Sequence, residues 1–204
     1  MTNSAAEPDG ATPLEEDERE GLRFPHIETR AELDRMEQAN IVEGQRWLNR
    51  QKKPDVLTET FALALHKHLF GEVWRWAGRF RSTEKNIGVA PHQIAMALRG
   101  LLDNTRYQAD HAVYPPLELA LRFHHRLVQI HPFPNGNGRH SRIMTDALLR
   151  FRLEQPSIVW EGRNAIQNLQ AAGAHRVAYI KALRAADVRD FAPLLKLFGD
   201  GNEA

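Results

Sequence analysis

The stretch from His131 to Arg142 reads His-Pro-Phe-Pro-Asn-Gly-Asn-Gly-Arg-His-Ser-Arg, and its flanks fix what can surround it. Before it, Leu117, Ala120, Leu121, His124, Leu127 and Val128 recur at three- and four-residue intervals, a helical stripe that stays in phase to His131. Pro132 and Pro134 bar that helix from continuing. After the glycines, Ile143, Met144, Ala147, Leu148 and Phe151 start a second helical stripe. The stretch therefore predicts helix, tight loop, helix, with His131 ending one helix and Gly136 to Arg139 opening the next.

Such a layout is an anion site with a base beside it. The first N–H groups of a helix lack internal partners and lie at the positive end of its dipole, so they favour phosphate. Gly136 and Gly138 let the backbone curl around an oxyanion. Arg139 and Arg142 lie three apart, on one helical face, and their side chains lean toward the anion. Two guanidinium forks suit a polyphosphate. His131, at a helix C-terminus, is expected to have its pKa raised by the dipole while remaining able to be neutral near pH 7. No nucleophile accompanies it, so the hydroxyl to be activated belongs to another molecule.

At 204 residues the chain suits one domain with a substantial core. Its net charge of +1 provides no general attraction to nucleic acid or anionic membrane, and it has no cysteine for disulfides or thiolate metal sites. No apolar run is long enough to span a bilayer, and the acidic start from Thr2 to Glu20 is unlike a signal peptide, which predicts a soluble cytoplasmic protein. Long apolar stripes and few β-branched runs predict a mainly α fold. His111, His124, His125, His131 and His140 are close in sequence, but adjacent His124 and His125 point about 100° apart on a helix and do not chelate easily. A Walker-type loop is excluded, because Gly136 to Arg139 lacks its Lys and Ser/Thr.

Residues 1–22 read as a flexible acidic tail, with Leu14 and Leu22 as the residues able to dock. Thr29 with Glu32 makes a capping box for a first helix to about Arg50, on which Leu33, Met36, Ile41, Trp47 and Leu48 share a face and Glu43 sits at its margin. A second pattern runs from Thr58 to Trp76 and stops at Gly78; a third runs from Ile94 to Tyr107. Between them, residues 81–91 lose helical period and predict a hairpin or extended loop broken by Gly88 and stopped by Pro91. Beyond the second signature helix, closed by Gln155-Pro156, a long helix is expected over 164–186 and a short one over 191–198. The boundaries follow: tail 1–22, N-terminal helix region 23–52, core 53–198, and a flexible end 199–204.

His-Pro-Phe-x-x-Gly-Asn-Gly-Arg-x-x-Arg resembles the signature of Fic (filamentation induced by cAMP) domains of the Fic/Doc superfamily, which transfer AMP from ATP to protein hydroxyls. Trp-Ala-Gly-x-Phe-Arg and Asn-Ile-Gly-Val also resemble that family. Residues 10–14, 37–44, 123–127 and 182–187 look most like its mobile mystery protein B group. The resemblance implies a mainly α Fic-type helical bundle with a short β-hairpin flap and an N-terminal inhibitory-like helix. It implies that His131 deprotonates a Tyr, Thr or Ser hydroxyl. The donor ATP would bind through Asn135, Gly136, Asn137, Gly138, Arg139 and Arg142, with Arg139 on the β-phosphate side, Arg142 on the γ-phosphate, and Tyr179 walling the adenine. Lys85, Asn86, Ile87, Gly88 and Val89 would form the flap on which a target protein docks by strand addition.

In the inhibitory helix of many Fic proteins, a Ser/Thr-x-x-x-Glu-Gly/Asn motif supplies a Glu that pairs with the final Arg of the signature. Here Ala39 to Gly44 keeps Glu43-Gly44 but carries Ala39 in place of the hydroxyl residue, so Glu43 is the expected cis inhibitor of Arg142. The group also implies a small helix-turn-helix companion protein. One position departs from the family: most active members have Asp or Glu where this chain has Asn135. That acid holds Mg²⁺ or Mn²⁺, and a neutral amide is a poorer ligand for such an ion. Asn135 therefore implies at best a weak or water-mediated metal contact. It keeps two alternatives open: a non-catalytic nucleotide- or peptide-binding module, and transfer from another phosphorylated donor.

Overall fold

The computed structural model describes residues 21–24, 27, 29–160 and 174–199. It contains α1 (Arg30–Asn49), α2 (Glu59–Phe70), α3 (Ile94–Asp110), α4 (Pro116–Ile130), α5 (Asn137–Arg152), α6 (Ala174–Asp187) and α7 (Ala192–Gly199), with a 3₁₀ turn at Pro91–Gln93 before α3. The chain divides into two compact units, where the sequence predicted one core over 53–198. Leu14–Pro156 carries α1 to α5, and the other unit includes Ser157–Ala204 with α6 and α7. The acidic segment 1–20 and the start of the expected 164–186 helix lie outside the described residues.

In the larger unit α1 packs on α2, α4 packs on both α3 and α5, and α2 touches α5. The buried stripe of each helix meets in one core that includes Leu65, Leu69, Leu98, Phe123, Leu127 and Leu148. Thr29 and Glu32 close the capping box on α1. Asn40 then ties α1 to the end of α2: its amide donates to the His68 carbonyl at 2.9 Å, and its oxygen accepts the Glu72 N–H at 2.9 Å. Gly44 allows the close approach, since a Cβ there would sit 2.8 Å from the His68 oxygen.

Two expectations need correction. The second helix stops at Phe70 rather than Trp76, because Gly71 caps it and the Glu72 N–H is taken by Asn40. Residues after it turn instead, and Trp74 forms an isolated antiparallel bridge with Leu22. The flap is not a β-hairpin: no strand occurs among the described residues. Its backbone is bonded elsewhere, with the Arg81 N–H donating to the Pro132 carbonyl at 3.0 Å and the Val89 N–H to the Ile130 carbonyl at 3.4 Å. In the smaller unit, Trp160 and Tyr179 pack edge-on against Phe198.

Candidate active site

The site forms where α4 ends and α5 begins. His131 caps α4 in the left-handed region (φ 51°, ψ 60°), an uncommon conformation for a residue with a Cβ. Its N–H still bonds the Leu127 carbonyl at 3.2 Å, so the helix holds the backbone while the turn redirects the side chain. The imidazole is buried. Its pKa is pushed down to about 4 by burial first, then by the Arg81 guanidinium and Lys85 ammonium, against an opposing hydrogen bond with the Val128 backbone. The upward shift expected from the helix dipole is therefore reversed, since desolvation and two neighbouring cations outweigh a helix end. The base is neutral at pH 7.

The loop that follows is rigid for local reasons. Phe133 donates its N–H to the Asn137 Oδ1 at 2.9 Å, and the Asn137 amide returns a bond to the Phe133 carbonyl at 2.7 Å. Both ends of the Asn137 side chain are thus held inside the loop. Phe133 is fully buried and stacks on His66 with ring centroids 3.7 Å apart. Gly136 has φ +75°, and a Cβ would come within 2.6 Å of the Phe70 ring. Gly138 differs. A Cβ there would meet nothing within 4 Å, which leaves the start of α5 open to a ligand.

Asn135 turns its amide oxygen onto its own loop, accepting the Gly136 N–H at 2.6 Å. Its backbone carbonyl is held by the His66 Nε2 at 3.1 Å, while the His66 Nδ1 accepts the Gly78 N–H at 3.0 Å. These two bonds set one tautomer of a neutral imidazole, whose pKa burial holds well below the ordinary histidine value. No group of three or more His, Cys, Asp or Glu side chains able to hold a metal occurs among the described residues. The Asn135 amide oxygen already accepts a short hydrogen bond and, being neutral, brings no carboxylate charge to a cation.

The arginines divide. Arg139 binds the Glu37 carboxylate at 2.6 Å and lies over the Phe70 ring, 4.8 Å from its centroid. The other Glu37 oxygen accepts the Trp74 indole N–H at 2.7 Å. Glu37 and Arg139 are largely buried, with side-chain exposures of 7% and 17%. Arg142 is half-buried, and its charge helps to lower the pKa of His124. Glu43 is turned toward water. Its carboxylate pairs with Arg46 on the surface, at 59% exposure. Helical geometry explains the exchange: Glu37 and Glu43 are six residues apart, which places them about 120° apart around α1. The Asn40 and Gly44 contacts fix the face that looks inward, and Glu37 is on it.

Of the flap residues, Asn86, Ile87 and Gly88 are exposed, whereas Lys85 leans in far enough to act on His131. Tyr179 is spent in the packing of the smaller unit. Three residues escaped the sequence reading: Glu37, His66 and Arg81. Glu37 and His66 had left a signal, as polar residues beside the apolar stripes of α1 and α2; Arg81 had none beyond its place in the Trp-Ala-Gly-x-Phe-Arg string.

Burial of neutral histidines predicts acid sensitivity. His124 is lowered to about 3, His131 and His140 to about 4, and His66 is also lowered, in each case by desolvation first. Each folded-state value lies below the unfolded value near 6.5, so the unfolded chain takes up protons first as pH falls. Stability is complete above about pH 6.5 and is lost progressively as pH drops from there toward the folded values, by up to about 2 kcal/mol per histidine at pH 5. Thermal melts should show a clearly lower Tm at pH 5 than at pH 7; equal values would contradict this reading.

Residues 56–149 match the model of the Fic/DOC family. The "Protein adenylyltransferase Fic" of Nematostella vectensis is 28% identical over 124 residues, 57% of this chain and 29% of that protein. Its namesake in Aedes aegypti is 26% identical over 156 residues, 74% of this chain and 29% of that protein. The matched stretch thus spans under a third of these relatives. In fold, the chain is similar to BepC of Bartonella tribocorum, solved with bound AMPPNP, at a TM-score of 0.66 and 18% identity, covering 94% of this chain and 93% of that one. It is also similar to the N-terminal Fic domain of Bep8 from Bartonella sp. 1-1C, at a TM-score of 0.65 and 15% identity, over 86% of this chain and 87% of that one. Family match, signature loop and helical fold coincide on the same residues, and residues 56–149 form a domain that matches the Fic/DOC family.

Proposed function

We propose that the chain is a protein adenylyltransferase that moves AMP from ATP to a Tyr, Thr or Ser hydroxyl. The observation that carries this reading is a neutral, buried His131 fixed one short loop away from an uncovered helix start. The names of the curated relatives and the nucleotide bound by BepC support the same donor. The acceptor oxygen forms a bond to the α-phosphorus as the bond to the bridging oxygen breaks. Pyrophosphate leaves with that electron pair, and the acceptor proton passes to His131. The backbone N–H groups of Gly138 and its neighbours, with Arg142, would steady the phosphates. A divalent cation would arrive with the nucleotide, since Asn135 offers no carboxylate. The target protein would lie along the exposed part of residues 85–89, and the family's helix-turn-helix companion is a second candidate partner.

The same reading includes restraint in cis, relocated to Glu37. While its carboxylate holds Arg139, a polyphosphate must compete with a buried anion for that guanidinium. With ATP labelled at the α-phosphate and Mg²⁺ or Mn²⁺, Glu37→Gln should raise self-labelling about 5–150-fold, the span of ordinary coupling free energies. The amide still accepts from Trp74, so the fold is retained. Glu43→Gly should stay within about twofold of the unchanged protein, because an exposed pair contributes little. Asn135→Asp should lower the cation concentration needed. If Glu43→Gly raises labelling and Glu37→Gln does not, the restraint belongs to Glu43. If every variant binds nucleotide and none transfers label, the chain is a binding module.

A further inference from the structure

Arg81 sits beneath the flap, buried, with its guanidinium hydrogen-bonded to three main-chain carbonyls and the Glu84 charge acting on it. Its Nε donates to the His131 carbonyl at 2.7 Å, one terminal nitrogen donates to the Thr83 carbonyl at 2.7 Å, and the other donates to the Val89 carbonyl. The guanidinium therefore joins both ends of the 83–89 segment to the main chain of the base. Its own N–H adds a bond to the Pro132 carbonyl at 3.0 Å. Gly88 is pressed into the same assembly: at φ +119°, a Cβ would fall 2.5 Å from an Arg81 terminal nitrogen and 2.9 Å from the His131 Cβ.

Carbonyl groups facing one another across a loop need a donor between them, and a planar fork with five N–H groups supplies several directions from one residue. Lysine carries the charge but not the fork. No strand pairing holds this segment among the described residues, so the Arg81 bonds stand where a hairpin ladder would otherwise be.

We propose that Arg81 is a positioning residue that locks the 83–89 segment to the His131 turn, so that an acceptor hydroxyl docked on the segment meets the base in register. The proposal rests on the adenylyltransferase reading for its reaction, but the lock itself can be measured without turnover. Arg81 acts through other groups and touches no reacting atom. Its charge has a separable effect, since it is one of the two cations that, with burial, keep the His131 pKa low; Lys85 is the other.

The test compares Arg81→Met, Arg81→Lys and Gly88→Ala in the full chain. Hydrogen exchange of residues 82–90 should speed up about tenfold or more in all three, with α4 and α5 amides unchanged, as expected for local release. In the transfer assay, the KM for a protein acceptor should rise and kcat should fall about 10²-fold, the cost of roughly 1 Å of misplacement, while the KM for ATP holds. The pH response should split the variants: Arg81→Met moves the His131 titration upward, and Arg81→Lys leaves it low. Gly88→Ala retains Arg81 and guards against a result due only to unfolding of an arginine variant. The proposal is overturned if exchange of 82–90 is unaltered in Gly88→Ala and Arg81→Lys, or if the ATP and acceptor KM values shift together. If neither the unchanged protein nor Glu37→Gln transfers label yet the exchange result is as predicted, the adenylyltransferase reading fails and the lock stands.

Discussion

His131→Ala should lower transfer of AMP by about 10²–10⁴-fold, the range for loss of a general base, while ATP binding remains. The large effect follows from the absence of a substitute. His125, also on α4, is buried on a different helical face, and the His66 imidazole is fully engaged by Asn135 and Gly78. The pH dependence should carry the same signature. Because the His131 pKa is lowered to about 4, kcat/KM should be flat from pH 8 down to about pH 5.5 and should show no limb near 6.5. Bound polyphosphate offsets the charges of Arg81 and Lys85, so the limb in kcat should lie above that in kcat/KM. A bell whose acid side falls at about 6.5 in kcat/KM would mean that the working base is an ordinary exposed histidine.

Arg139→Ala should be the most destabilising single change at the site, by about 3–5 kcal/mol, because it leaves the buried Glu37 carboxylate without its cation. For a chain of this size that corresponds to a fall in Tm of about 6–20 °C. The guanidinium also leaves the Phe70 face, where it lies 4.8 Å from the centroid. Glu37→Gln should cost much less, since the amide keeps the Trp74 bond and Arg139 retains some access to water. Comparing the two melts separates tether from phosphate ligand. Were Arg139→Ala to melt like the unchanged protein while losing ATP binding, Arg139 would serve the phosphates alone.

The parts of the fold that were legible were those written locally. Thr29 and Glu32 announced α1, and the stripes of α3, α4 and α5 announced helices that the structure contains. The second helix was drawn too long because Leu65, Leu69 and Val73 keep a four-residue step across Gly71. The Gly71 cap and the Asn40 contact, from another helix, end that step. The signature located the loop correctly, and the burial of Phe133 follows from it. The partners of its side chains were less visible. Glu37 meets Arg139 across 102 positions of sequence, whereas Glu43 had the more familiar local spacing and faces water. Asn137 was expected to hold ATP with its neighbours, and its reciprocal pair with Phe133 could not be read from spacing. The flap expectation failed for a related reason: a non-helical segment with a central glycine reads as a hairpin unless a buried arginine takes its carbonyls.

The most direct measurement of the central claim follows two labels in the same reaction, with ATP labelled at either the α- or the γ-phosphate. It uses Glu37→Gln protein with and without the added His131→Ala change. The α-label should become protein-bound in step with pyrophosphate release, the γ-label should leave with the pyrophosphate, and His131→Ala should remove both events. Protein-bound γ-label, or α-label transfer that survives without His131, would contradict the adenylyltransferase reading.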